Sequence, residues 1–163
     1  MKAKLKDNNY VVATVKTWND KAFALHTSKI AGHWHLVKSP EELTLDYLLD
    51  IKPRYIFFPH WSWIVPVEIT KQYECVCFHM TDVPYGRGGS PLQNLIIAGH
   101  KQTKISAIKV VKELDAGPIY LKENLDLVGT STQAVTLGTN TSTAFDTGIT
   151  ITNLIFDMKF VYT

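Results

Sequence analysis

The sequence predicts an α/β fold: a Rossmann-like, mostly parallel twisted sheet with helices on both faces, followed by a β-rich C-terminal tail. Three observations carry this. Short runs rich in β-branched and aromatic residues, such as YVVATVK, YIFF and ECVCF, recur along the first three-quarters of the chain. Helix-like stretches separate them, and strands alternating with helices at this spacing favour parallel pairing with helices on both sheet faces. After about Gly129 the texture changes: Thr, Ser, Gly and Asn dominate 129–143, and only Asp146, Asp157 and Lys159 carry charge from there to the end.

The elements follow in order. Tyr10–Lys16 reads as a buried strand and Trp18–Ser28 as a short helix with Asn19 or Asp20 near its start. His33–Val37 alternates and suggests a second strand. Ser39-Pro40-Glu41-Glu42 has a hydroxyl cap, a proline at the first position and acids in the first turn, so a helix is predicted from there to about Asp50. Leu43, Tyr47 and Leu48 would share its buried face. Tyr55–Phe58 is a third strand, Pro66–Lys71 a short helix and Glu74–Phe78 a fourth strand. Pro91–Ala98 is a helix ended by Gly99; Lys104–Lys112 and Ile119–Asn124 are the fifth and sixth strands. These elements make a domain over 1–128. In the remaining 129–163, Gly148–Thr152 and Leu154–Tyr162 read as strands of a separate β-rich tail, with an edge on which a second copy could pair as a homodimer.

Composition excludes several function classes. A chain of 163 residues suits one domain with a proper core. Hydrophobic residues make up 45% and charged residues 20%, an ordinary globular balance. A net charge of +2 is too small to argue for nucleic acid or an anionic membrane as partner. No apolar run approaches the roughly twenty residues of a membrane span, and the opening MKAKLKDNNYVV lacks the apolar stretch of a signal peptide. With Cys75 and Cys77 as the two cysteines, a reducing cytoplasm is the simplest expectation.

The chemistry gathers between His79 and Asp115, in FHMTDVPYGRGGSPLQNLI followed by KISAIKVVKELDAGPIY. An imidazole and a carboxylate at neighbouring strand ends suit proton-coupled group transfer. Ligands of such sheets sit beyond the carboxyl ends of the strands, so His60, His79 and Asp115 are expected in one crevice. The loop 83–90 carries Gly86, Gly88 and Gly89, which let backbone N–H groups approach a substrate, and Arg87 adds a cation for an anionic group. It lacks the Gly-Lys-Ser/Thr ending of a nucleotide-binding P-loop. Blander alternatives stand beside these: a histidine satisfied by a nearby carbonyl, an aspartate starting a turn before Gly117 and Pro118, a plain connecting loop, a structural His60, and Trp61 and Trp63 as core.

No metal is expected. Cys75, Cys77 and His79 lie on one strand face but span about 13 Å, too far for one tetrahedral ion. Asp146-Thr147-Gly148 echoes the aspartic protease motif, yet too little chain follows it to build that fold.

Taken in order, these pieces resemble the formyltransferase family, which uses 10-formyltetrahydrofolate as donor. It includes methionyl-tRNA, glycinamide ribonucleotide and sugar N-formyltransferases. The family pattern is a strand ending Asn-x-His, a loop Leu-Pro-x-x-x-Gly, a helix, and a later Asp-x-Gly turn. His79 matches the histidine; Pro84, Tyr85, Arg87 and Gly88 match the loop; Asp115 and Gly117 match the turn. The match spans Tyr55 to Leu127. It implies His79 and Asp115 as catalytic residues, with Cys77 standing where the family has an oxyanion-binding asparagine. Because a thiol is a weak donor, that exchange implies a cost in rate of about a hundred- to a thousandfold.

The resemblance further implies a folate pocket at Trp61, Trp63, Ile64 and Val65 together with Lys112, Glu113 and Leu114. His60, Tyr85, Gly86, Arg87, Gly88 and Gly89 would surround the acceptor. Folate and a small amine are the implied partners. An amino sugar or nucleotide-linked amino sugar is expected, since tRNA-using members carry a further C-terminal barrel for which 163 residues leave no room. A 10-formyltetrahydrofolate hydrolase and a non-catalytic folate- or sugar-binding relative are the alternatives.

Overall fold

The computed structural model describes residues 8–127. The expected tail, its two strands and Asp146 lie outside the described residues, as does the expected boundary at 128. The elements are β1 (Asn9–Ala13), α1 (Trp18–Thr27), β2 (His33–Val37), α2 (Leu45–Ile51), β3 (Tyr55–Phe58), α3 (Val67–Gln72), β4 (Glu74–His79), α4 (Pro91–Ile97), β5 (Gln102–Lys109) and β6 (Ile119–Asp126).

The strands form one sheet in the order β2-β1-β3-β4-β5-β6. β1 pairs in parallel with β2 and β3, and β3 with β4. β5 runs antiparallel to both β4 and β6. Among the described strands, then, β5 alone is reversed, and the sheet is mixed but mostly parallel, as expected. The chain steps from β1 outward to β2 and then back past β1 to β3, which places a topological switch between the carboxyl ends of β1 and β3.

Period-two alternation divides the core between the two faces. One face packs Val11, Ala13, Val37, Ile56, Phe58 and Cys75 against Leu48 of α2, Ile69 of α3 and Leu43. The other packs Val12, Phe57, Val76 and Ala107 with Phe23 of α1. It continues through Ile105 and Leu125 to Leu92 and Leu95 of α4. Truncating a fully buried leucine such as Leu48 to alanine costs about 2–5 kcal/mol.

Three boundaries differ from the sequence reading by three residues or more, and one of them is the end of β1, at Ala13 and not Lys16. α2 begins at Leu45, not Ser39. The Glu42 carboxylate accepts from the Lys38 N–H at 2.8 Å, and the Glu42 and Leu43 N–H groups bond back to the Ser39 and Pro40 carbonyls, so this segment closes as a turn. Thr44 is extended, and its hydroxyl accepts from the Tyr47 N–H; Thr44, not Ser39, is the cap. β5 ends at Lys109, not Lys112. Beyond it the Val110 N–H reaches back to the Cys75 carbonyl and the chain leaves the sheet. No helix among the described residues is long and apolar enough to cross a membrane.

Candidate active site

β4 sets the site. Its alternation puts Cys75, Cys77 and His79 on one face, with His79 at the carboxyl end and buried. His79 Nε2 lies 2.8 Å from the Gly86 carbonyl oxygen. A carbonyl only accepts, so Nε2 carries the proton in this contact. On the other side of the ring, Nδ1 is 3.4 Å from Asp115 Oδ2. The same carboxylate oxygen accepts from the Gly88 N–H at 3.0 Å. The loop after β4 therefore holds both members of the pair through its main chain, one by a carbonyl and the other by an N–H.

Asp115 does not arrive from a strand end beside His79. Because β5 is reversed, Lys109 stands level with Val76, while Ser106 stands level with His79. Val110 is tied to Cys75, four positions before His79, a distance along β4 of about 13 Å. The segment 110–115 travels that distance back over the sheet face. Asp115 ends the return in the left-handed region at φ 51°, which a short polar side chain tolerates. Gly117 makes the return possible: a Cβ there would sit 1.8 Å from the Lys109 carbonyl oxygen. The Lys109 N–H closes the turn on the Pro118 carbonyl at 2.9 Å.

Cys77 sits beside this pair. Burial, with the Asp115 charge second, pushes its thiol up to about 12. The sulfur is therefore a protonated, weakly donating group across the working pH range, not a nucleophile.

His60 closes β3 as His79 closes β4. Its backbone is left-handed at φ 54°. The buried Asn19 amide lies 3.2 Å from Nδ1 and donates to the Thr14 hydroxyl at 2.5 Å, at the switch between β1 and β3. Burial, with the nearby Lys16 charge second, lowers His60 to about 4, so it is a neutral imidazole.

A cleft of about 780 Å³ joins these parts, a size that suits a cofactor-sized ligand. It brings together His79, Asp115, Cys77, His60, Trp61, Trp63, Ile64, Val65, Lys112, Glu113, Leu114, Gly88 and Gly89, all singled out from the sequence. Trp61 meets Phe58 and Trp63 edge-on at 5.7 and 5.3 Å. Ile64 is 93% and Leu114 70% exposed, an apolar rim.

Tyr85, Gly86 and Arg87, expected around the acceptor, are not among the lining residues. Gly86 and Gly88 adopt positive φ and turn their main-chain groups inward. Tyr85 points to solvent with its hydroxyl 3.3 Å from His100 Nε2, and Arg87 is exposed. The role of Gly86 as partner of His79 was not foreseen, since a glycine in a loop reads only as conformational freedom.

No protein-family model matches the chain. A methionyl-tRNA formyltransferase from Rickettsia prowazekii is 35% identical over 97 residues, which are 56% of this chain and 32% of that protein. A solved methionyl-tRNA formyltransferase from Clostridium thermocellum superposes with a TM-score of 0.79 at 42% identity, covering 93% of this chain and 62% of that one. These likenesses support a formyltransferase-family domain. HypX from Aquifex aeolicus in complex with tetrahydrofolic acid shares the fold, with a TM-score of 0.63 at 18% identity over 94% of this chain and 27% of that one. The chain thus spans about a third of the length of the Rickettsia relative and under two-thirds of the Clostridium one.

Proposed function

We propose that this formyltransferase-family chain moves a formyl group from 10-formyltetrahydrofolate to an amine. The observation that carries the reading is the buried His79–Asp115 pair at 3.4 Å, opening on a cleft with an aromatic wall. The pterin lies along Trp61, Trp63, Ile64 and Val65, with main-chain groups of 112–114 on its other side. The acceptor nitrogen attacks the formyl carbon, and the carbonyl oxygen gains negative charge. The His79 Nε2–H, held by Gly86 before substrate arrives, turns to that oxygen. The oxyanion then collapses, the C–N10 bond breaks, and the proton given up by the attacking amine is passed by the His79–Asp115 pair to N10, which leaves as the amine of tetrahydrofolate. Holding donor and acceptor side by side supplies much of the acceleration.

The relatives support one class of acceptor over another. Those at 35% and 42% identity are named methionyl-tRNA formyltransferases, which favours the amine of an aminoacyl-tRNA over the amino sugar expected from the sequence. Cys77 supports one further reading, a domain that binds folate without turning it over.

The test is a fluorescence titration with a stable 10-formyltetrahydrofolate analogue on the wild type and Cys77→Asn. Each is then assayed for transfer to charged methionyl-tRNA, to a nucleotide-linked amino sugar and to water. Binding with transfer to one amine is expected. Binding without transfer in the wild type favours the non-catalytic reading, and no binding by either protein removes the folate reading.

A further inference from the structure

Resting on the formyl-transfer reading, we infer that Lys122 is a positioning residue. From the outer described strand β6, it sets the loop that orients His79 and Asp115. The loop after β4 makes both main-chain contacts to the pair, so its placement decides their geometry. That placement is fixed from the neighbouring strands. Ser106 of β5 donates to the Thr81 carbonyl at 2.7 Å, and both residues are buried. Lys122 of β6 donates to the Val83 carbonyl at 2.7 Å and pairs with the Asp82 carboxylate. Lys104 of β5 meets the other Asp82 oxygen at 3.1 Å. The Tyr85 N–H then bonds back to the Asp82 carbonyl at 3.1 Å. From this anchor the chain delivers the Gly86 carbonyl to His79, with Thr81 packed beneath: a Cβ on Gly86 would come 2.7 Å from Thr81 Cγ2.

The ion pairs alone do not carry this role, because Asp82 is 44% exposed and such pairs are worth little. The Lys122–Val83 bond is different. It is charge-assisted, part-buried and directed at a main-chain carbonyl three residues before Gly86. In a strand read from sequence, Lys122 looks like one more solvated side chain. Its reach across β5 to the loop gives it a part in a site whose members are all distant in sequence.

The experiment compares the wild-type chain with Lys122→Met, Lys122→Gln and Lys122→Arg. Nitrogen-15 spectra of labelled histidine report the His79 ring, assigned with His79→Ala. Steady-state formyl transfer reports kcat and KM separately. We expect Lys122→Met to shift the His79 Nε2 resonance and speed exchange of its proton. We expect kcat to fall about tenfold or more, as a small misplacement does, with KM for the donor within twofold. Lys122→Arg should recover most of both. His79 resonances that coincide with the wild type in a folded Lys122→Met overturn the inference, whatever the activity. If Lys122→Met does not fold, the shorter, uncharged Lys122→Gln carries the test: a shifted His79 Nε2 resonance supports the inference, and none overturns it. A shifted His79 in a chain that transfers no formyl group even as wild type keeps the positioning and discards the catalytic reading.

Discussion

His60 and His79 close adjacent parallel strands, yet their surroundings give them opposite characters. His79 is met by two acceptors, the Gly86 carbonyl at 2.8 Å and the Asp115 carboxylate at 3.4 Å. His60 is met by a neutral amide and lies near the Lys16 cation, and it is driven down to about 4. One strand end offers its imidazole two hydrogen-bond acceptors, and the other keeps its imidazole uncharged. Residue type and position on the strand do not separate them; the partners do.

The comparison breaks most directly at the pair. His79→Ala or Asp115→Asn should lower kcat for formyl transfer by about 10²–10⁴-fold, the usual contribution of a positioned acid–base group. His60→Gln should leave kcat within a few-fold. Equal losses from both histidines, in single-turnover assays, would erase the distinction.

Gly117→Ala probes how the carboxylate gets there. With 1.8 Å to the Lys109 oxygen, the added methyl forces the turn off β5. Urea unfolding should show a loss of more than about 2 kcal/mol, in the range of severe backbone and packing defects, together with lost activity.

The neutral state of His60 can be read from stability. Its folded value near 4 lies below the ordinary 6.5. Between these values the unfolded chain binds more protons, so stability rises with pH. The contribution is complete above about pH 6.5 and is lost as pH falls toward 4, up to about 3 kcal/mol. His60→Gln should flatten the urea-midpoint profile in that window, and an unchanged slope would place the pH dependence elsewhere.

Cys77→Asn should raise kcat by up to about a hundredfold, as a stronger donor enters beside His79. Smallest of all, Trp63→Ala should raise the folate analogue Kd about fivefold, worth about 1 kcal/mol of apolar contact, without touching kcat.

Much of this was legible in the sequence. The strands were readable within a few residues because β-branched and aromatic runs such as YVVA and YIFF must be buried on both faces. His60, His79 and Asp115, expected in one crevice, line one cleft. The start of α2 was misread because Ser39, Pro40 and the two glutamates suit a turn as well as a helix, and Thr44 caps equally well. Tyr85 and Arg87 were expected around the acceptor because their loop resembles the family's. The positive φ of Gly86 and Gly88 instead turns peptide groups inward and those side chains out. The reversal of β5 was not written locally at all. It follows from which neighbours the strand meets, and with it went the long return that carries Asp115 over the sheet.

That return has a consequence for how the chain comes into being. Synthesis runs from the amino terminus, and β1 to β4 with His79 emerge well before Asp115 and Lys122. A nascent chain that has reached α4 already has its parallel strands, but its histidine has no carboxylate and its loop no anchor. The pair proposed to do the chemistry is therefore complete, and its loop anchored, only once β6 has joined a sheet whose first half can already be in place.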